Sequence, residues 1–159
     1  TSCAYIESLE GAPEEVTDDF WCTSCISLTS LENSPKKVGG TFDCSRCEKL
    51  VSLKGCPKSV KGSFSCNKCK GIKTLEGMPS RIGKNLNCSY CDSLESLKGC
   101  AKKVPGVFTC ENNPWLKSLK YGPEHVGGSY CFAGCNSCGD DSCYRGAYFE
   151  CASAGRIPS

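Results

Sequence analysis

Histidine is almost missing from this chain: His125 is the only one in 159 residues. That scarcity removes the commonest general acid–base partner and the commonest nitrogen ligand for metals. His125 itself stands in a slot that Glu15, Lys37, Ser59, Arg81 and Lys103 fill elsewhere, so no nucleophile, base and orienting group converge by spacing. Long apolar runs are absent too, and none approaches the roughly 20 residues a membrane-spanning helix requires. Net charge is only +2, so bulk electrostatics does not point to nucleic acid or to an anionic membrane. The pairs Gly39-Gly40 and Gly127-Gly128 have no following Lys-Ser/Thr to cradle phosphate and read as turns. A signal peptide and an initiating Met are both lacking, and Thr1 is expected to follow a cleavage or a boundary inside a longer protein. On these grounds the chain is expected not to be an enzyme.

What is present is repetition. Leu9, Leu31, Leu53, Leu75, Leu97 and Leu119 recur at 22-residue steps. Val16, Val38, Val60, Ile82, Val104 and Val126 keep the same step, as do Phe20, Phe42, Phe64, Leu86, Phe108 and Tyr130. Such a period without insertions predicts a stacked solenoid in which each unit buries its apolar side against its neighbours. Within one unit, Phe42 and Cys44 alternate with Thr41, Asp43 and Ser45, as in a short half-buried strand. Cys47, Leu50 and Leu53 then turn inward, and Gly55 and Pro57 punctuate the return to Val60. No three-turn helix fits the remainder, so loops or 3-10 turns are expected on the outer side. The chain opens midway through a unit, because Cys3, Ile6 and Leu9 stand where Cys25, Leu28 and Leu31 stand next. Its upstream cross-section is therefore expected to be capped by residues 1–11, covered by a segment further upstream, or covered by another molecule.

The pattern over Gly39, Phe42, Cys44, Cys47 and Leu50 resembles the leucine-rich repeat family, with glycine at the first leucine position as a departure. The likeness runs from about Cys3 to Cys138, and the S-L-x-G-x-P…V-G-G-x-F-x-C-S wording is similar to repeat proteins of bacteria and their phages. The resemblance implies a curved solenoid with a parallel sheet on its concave side, and a protein-binding scaffold as the task. Residues 1–138 are assigned to the solenoid and 139–159 to a cysteine-rich cap or tail.

Seventeen cysteines allow three readings. Cys44-x-x-Cys47 followed by Cys66-x-x-Cys69, extended by Cys22/Cys25 and Cys88/Cys91, has a zinc-compatible spacing. Disulfides within the pairs are the second reading. The preferred one is a reduced ladder with no cofactor. In it Cys22, Cys44, Cys66, Cys88 and Cys110 serve as small inward residues, and Cys3, Cys25, Cys47, Cys69, Cys91 and Cys135 fill the family's Asn/Cys slot. Asn113 takes that slot once, which suits a hydrogen bond to the turning backbone and does not suit a thiolate cage. Cys131, Cys135, Cys138, Cys143 and Cys151 crowd the last 29 residues and fit a cross-linked cap or an apolar plug, with a small metal site as the third reading. Free thiols would suit a reducing cytosol, and a disulfide-bonded tail an oxidising space.

Two surfaces are candidates for binding. The outward strand positions carry Trp21, Thr41, Asp43, Ser63, Ser65, Asn85, Asn87 and Thr109, small and polar apart from the tryptophan. The ridge before each valine carries Lys36, Lys37, Lys58, Arg81, Lys102 and Lys103, with Glu14, Glu15 and Glu124 breaking it at its ends. The expected function is a non-enzymatic scaffold that binds a protein through the concave face or this ridge. The alternative is a structural protein that assembles with itself through its repeat ends, as a filament or a surface layer.

Overall fold

The computed structural model describes residues 4–135. Each repeat supplies two short strands: β1 (Glu15–Val16) and β2 (Phe20–Trp21), β3 (Lys37–Val38) and β4 (Phe42–Asp43), β5 (Ser59–Val60) and β6 (Phe64–Ser65), β7 (Arg81–Ile82) and β8 (Leu86–Asn87), β9 (Lys103–Val104) and β10 (Phe108–Thr109), β11 (His125–Val126) and β12 (Tyr130–Cys131). All pairing is parallel and joins equivalent residues of neighbouring repeats, as in Phe42↔Phe64 and Val60↔Ile82. The chain is a parallel β-solenoid with a 22-residue turn and, among the described residues, no helix. The boundary assigned at residue 138 and the cysteine-rich cap lie outside the described residues.

The even-numbered strands form one continuous six-stranded sheet, β12-β10-β8-β6-β4-β2. The spacing predicts that sheet; it does not announce the second ladder, which the odd-numbered strands build on the Val column. There β1-β3-β5-β7 and β9-β11 form separate sheets. The break has a covalent cause. Gly39, Gly83 and Gly127 donate their N–H to the carbonyls of Val16, Val60 and Val104 one repeat earlier, at 2.8, 3.1 and 2.8 Å. Pro105 occupies that slot in the fifth repeat and has no N–H to give to Ile82.

A left-handed residue ends each strand of the large sheet. Ser24, Arg46, Lys68, Tyr90 and Asn112 have φ between 52° and 61°. This conformation costs a non-glycine residue about 1–2 kcal/mol. The residue's N–H nonetheless continues the ladder, Arg46 to the Asn67 carbonyl at 2.8 Å and Tyr90 to that of Glu111 at 2.8 Å. The bend throws the next residue inward, which is why Cys47, Cys69 and Cys91 are buried.

Single turns occupy the rest of the unit, closed by bonds such as Leu50 N–H to Cys47 O at 3.1 Å and Cys56 N–H to Leu53 O at 3.2 Å. A serine column caps the second of them: the Ser30, Ser52, Ser96 and Ser118 hydroxyls accept the N–H of Glu32, Lys54, Lys98 and Lys120 at 3.0–3.2 Å. Gly55 shows how tightly the repeats nest. Its φ is +98°, and a Cβ there would lie 2.4 Å from the Leu31 carbonyl. Inside, Leu31, Leu53, Leu75 and Leu97 stack as a fully buried column, and the Phe42 ring lies between those of Phe20 and Phe64 at 5.4 and 5.8 Å. Each such side chain contributes about 1.5–3 kcal/mol by burial, and the gain is made only against a neighbouring repeat.

Candidate functional site

The interior cysteines serve the backbone. Cys47, Cys69, Cys91 and Cys135 each point their thiol at a carbonyl 25 residues earlier, those of Cys22, Cys44, Cys66 and Cys110, at 3.1, 3.2, 3.3 and 2.9 Å. Asn113 does the same with its Nδ2 on the Cys88 carbonyl at 3.0 Å, and its Oδ1 accepts the Cys91 N–H at 2.8 Å. The slot therefore requires a donor and an acceptor on one small side chain, which thiol and carboxamide both provide. Contact with Cys69 and then burial push the Cys44 thiol up, and Cys91 and burial do so for Cys66. Such thiols stay protonated at neutral pH and are poor nucleophiles. Cys22, Cys44, Cys47, Cys56, Cys66, Cys69, Cys88, Cys91, Cys100, Cys110 and Cys135 are free thiols, and Cys131 is disulfide-bonded. Cys3, Cys138, Cys143 and Cys151 lie outside the described residues. Among the described residues no three metal-donor side chains gather at one point.

The sheet face divides into two columns with different work. Trp21, Asp43, Ser65, Asn87 and Thr109 are Cα partners in register along the large sheet. Trp21 is the most exposed of them, at 59%, and the other four are half-buried. Asp43 accepts from the Ser45 N–H at 2.9 Å and from its hydroxyl, and Asn87 Oδ1 accepts from Ser89 N–H at 3.0 Å. The Ser45 and Ser65 hydroxyls meet at 2.7 Å.

Thr41, Ser63 and Asn85 form the second column, and their side chains are engaged with the chain's own bend. The Asp19 carboxylate accepts the Thr41 N–H at 2.6 Å, and Thr41 Oγ1 accepts from Ser63 N–H at 3.4 Å. Ser63 Oγ accepts from Asn85 N–H at 3.2 Å, and Asn85 Oδ1 from Val107 N–H at 2.9 Å. Polar residues recur here because the bend between the two sheets turns one N–H per repeat toward the previous repeat.

The basic ridge is half neutralised. All six ion pairs of the described residues join equivalent slots of adjacent repeats. Lys36 pairs with Glu14 at 2.8 Å, Lys37 with Glu15, and Lys102 with Glu124 at 3.3 Å. Lys58, Arg81 and Lys103 are exposed and make no ion pair among the described residues. Lys61 and Lys84, exposed in slots that are mostly glycine in other repeats, join them. Over residues 58–64, 80–86 and 102–108, one stacked on the next, there are six cations and no carboxylate. Lys61 and Lys84 are additions to the ridge read from sequence. The available signal was a lysine breaking a glycine column.

A second addition is the left-handed row beside the sheet face, where Arg46, Lys68 and Tyr90 are exposed and Lys68 Nζ lies 5.5 Å from the Tyr90 ring centre. No sequence periodicity marks that row, because its side chains share no chemistry. Among the described residues no helix is long and apolar enough to cross a membrane. No family model, no curated protein and no solved structure matches the chain.

Proposed function

We propose that the protein is a non-enzymatic binding scaffold of leucine-rich-repeat type that holds an acidic protein surface against its basic flank. One observation carries this reading: Lys58, Lys61, Arg81, Lys84 and Lys103 stand on three consecutive rungs with no carboxylate between them and make no ion pair among the described residues, while Lys102 beside them is held by Glu124. Rungs of a sheet lie about 4.8 Å apart, so like charges are crowded along the column and an opposing row of carboxylates relieves them. The sheet face is the weaker of the two candidates, because Thr41, Ser63 and Asn85 already bond the backbone. Nucleic acid fits the flank less well than an acidic protein does, since none of the six cations has an exposed aromatic beside it in residues 58–63, 80–85 or 102–107 on which a base would stack.

The test is fluorescence anisotropy of a labelled polyglutamate peptide titrated with the protein. Binding that weakens steeply with salt, and that is lost in the triple variant Lys58→Glu, Arg81→Glu, Lys103→Glu, supports the flank. Equal binding by that variant overturns it. A companion variant, Asp43→Arg with Ser65→Arg and Asn87→Arg, is expected to bind the peptide at least as well as the parent. A loss there would move the site to the sheet face.

A further inference from the structure

Charge is sorted along the solenoid axis. Seven acidic residues and no basic one precede Lys36, whereas from Lys36 to Lys120 there are 17 basic and 6 acidic residues. The sorting is sharpest on the flank itself. In its columns the first repeat places Glu14, Glu15 and Asp18, with Asp19 beside them, and the third to fifth repeats place Lys58, Lys61, Arg81, Lys84, Lys102 and Lys103. The first repeat thus carries the chemistry that the flank lacks. Lys36 and Lys37 already show the match, bonding Glu14 and Glu15 across one rung. Glu7, Glu10, Asp18 and Asp19 remain exposed and make no ion pair among the described residues. Apolar anchors stand on and just before that repeat, Trp21 59% and Tyr5 93% exposed.

We propose that the occupant of the basic flank is the acidic first repeat of a second copy of this chain. The inference rests on the flank being a binding surface, as argued above, and adds what fills it. The contact is heterologous: each copy offers its acidic repeat to one neighbour and its basic flank to another. Association is therefore open-ended, driven by charge, and weakened by salt. Within one molecule the two surfaces lie on successive repeats of one stack, where the acidic repeat meets its immediate neighbour through the Lys36 and Lys37 pairs.

The decisive experiment is sedimentation velocity across a concentration series, at about 10 mM and about 150 mM salt, where the screening length falls from about 30 to about 8 Å. The parent is expected to show a mass that rises with concentration at low salt, with association about tenfold weaker or more at the higher salt. A flank-reversed variant (Lys58→Glu, Arg81→Glu, Lys84→Glu) and a head-reversed variant (Glu7→Lys, Glu10→Lys, Asp18→Lys) are each expected to stay monomeric. Mixed together they should associate again, since each then supplies what the other lost. Displacement of parent oligomers by free polyglutamate is a second readout that needs no substitution. A parent that stays monomeric at every concentration overturns the second-copy proposal, as does a mixture that fails to associate. If the monomeric parent still binds polyglutamate, the scaffold reading stands alone; if it binds none, both readings fall.

Discussion

Asn113→Ala isolates what the interior thiol ladder does. Asn113 is completely buried and joins two repeats, through Nδ2 to the Cys88 carbonyl at 3.0 Å and the Cys110 sulfur at 3.1 Å and through Oδ1 from the Cys91 N–H at 2.8 Å. Alanine leaves that carbonyl and that N–H buried without partners. Each such group costs about 1–3 kcal/mol, so the expected loss is about 2–6 kcal/mol. Asn113→Cys provides the control, because Cys47, Cys69, Cys91 and Cys135 perform the same carbonyl contact with a thiol. A thiol is a weaker donor and acceptor than a carboxamide, so this variant is expected to lose less than about 1.5 kcal/mol. Urea denaturation measures both losses, and hydrogen exchange at the Cys91 amide locates them, fast in the alanine variant and slow in the cysteine one. An alanine variant within about 1 kcal/mol of the parent, or a cysteine variant as unstable as the alanine one, would refute the donor–acceptor account.

Three further outcomes follow from the geometry. Gly55→Ala should destabilise by about 2–6 kcal/mol, combining backbone strain with a clash against the Leu31 carbonyl. Gly11→Ala, with φ +84° but nothing within 4 Å of the added carbon, should lose only about 1–2 kcal/mol; equal melting shifts for the two would count against the nesting of repeats. Iodoacetamide at neutral pH should leave Cys44, Cys66 and Cys100 unmodified in the native protein and label them in urea, because all three are buried, with the Cys100 thiol raised to about 12. Native labelling of Cys44 or Cys66, read by peptide mass mapping, would contradict that. The hydrogen bonds and charges of Lys36 and Lys98 hold the Glu14 and Glu76 carboxyls below 4.5. A lowered folded-state value means the pairs stabilise above pH 4.5 and the contribution is lost as pH falls through the lowered value. The denaturation midpoint should fall over that window, and Glu14→Gln with Glu76→Gln should flatten the dependence.

Much of the architecture was legible because a 22-residue period leaves few alternatives. Unit length, the inward columns headed by Leu31, Phe42 and Val38, and the Asn/Cys slot follow from spacing and residue type. The second ladder of strands was not legible: two residues per strand are too few to show alternation, so the Val column read only as core. Its interruption at Pro105 is obvious once the Gly39, Gly83 and Gly127 bonds are seen, and silent before. On the surface, Thr41 and Asp43 look alike in sequence, yet Thr41 bonds the next repeat's N–H while Asp43 bonds its own strand end.

The sequence by itself determined that this chain stacks, and which side chains go inside. A periodic apolar pattern can be buried in only one way that satisfies every copy. Only the tertiary structure decided which polar groups are left for a partner. Ser63 and Asn85 are spent on backbone N–H groups, Lys36 and Lys102 on carboxylates one rung away, and Lys58, Arg81 and Lys103 on neither. Those assignments depend on distances between residues 22 positions apart, and such distances exist only once the repeats are stacked.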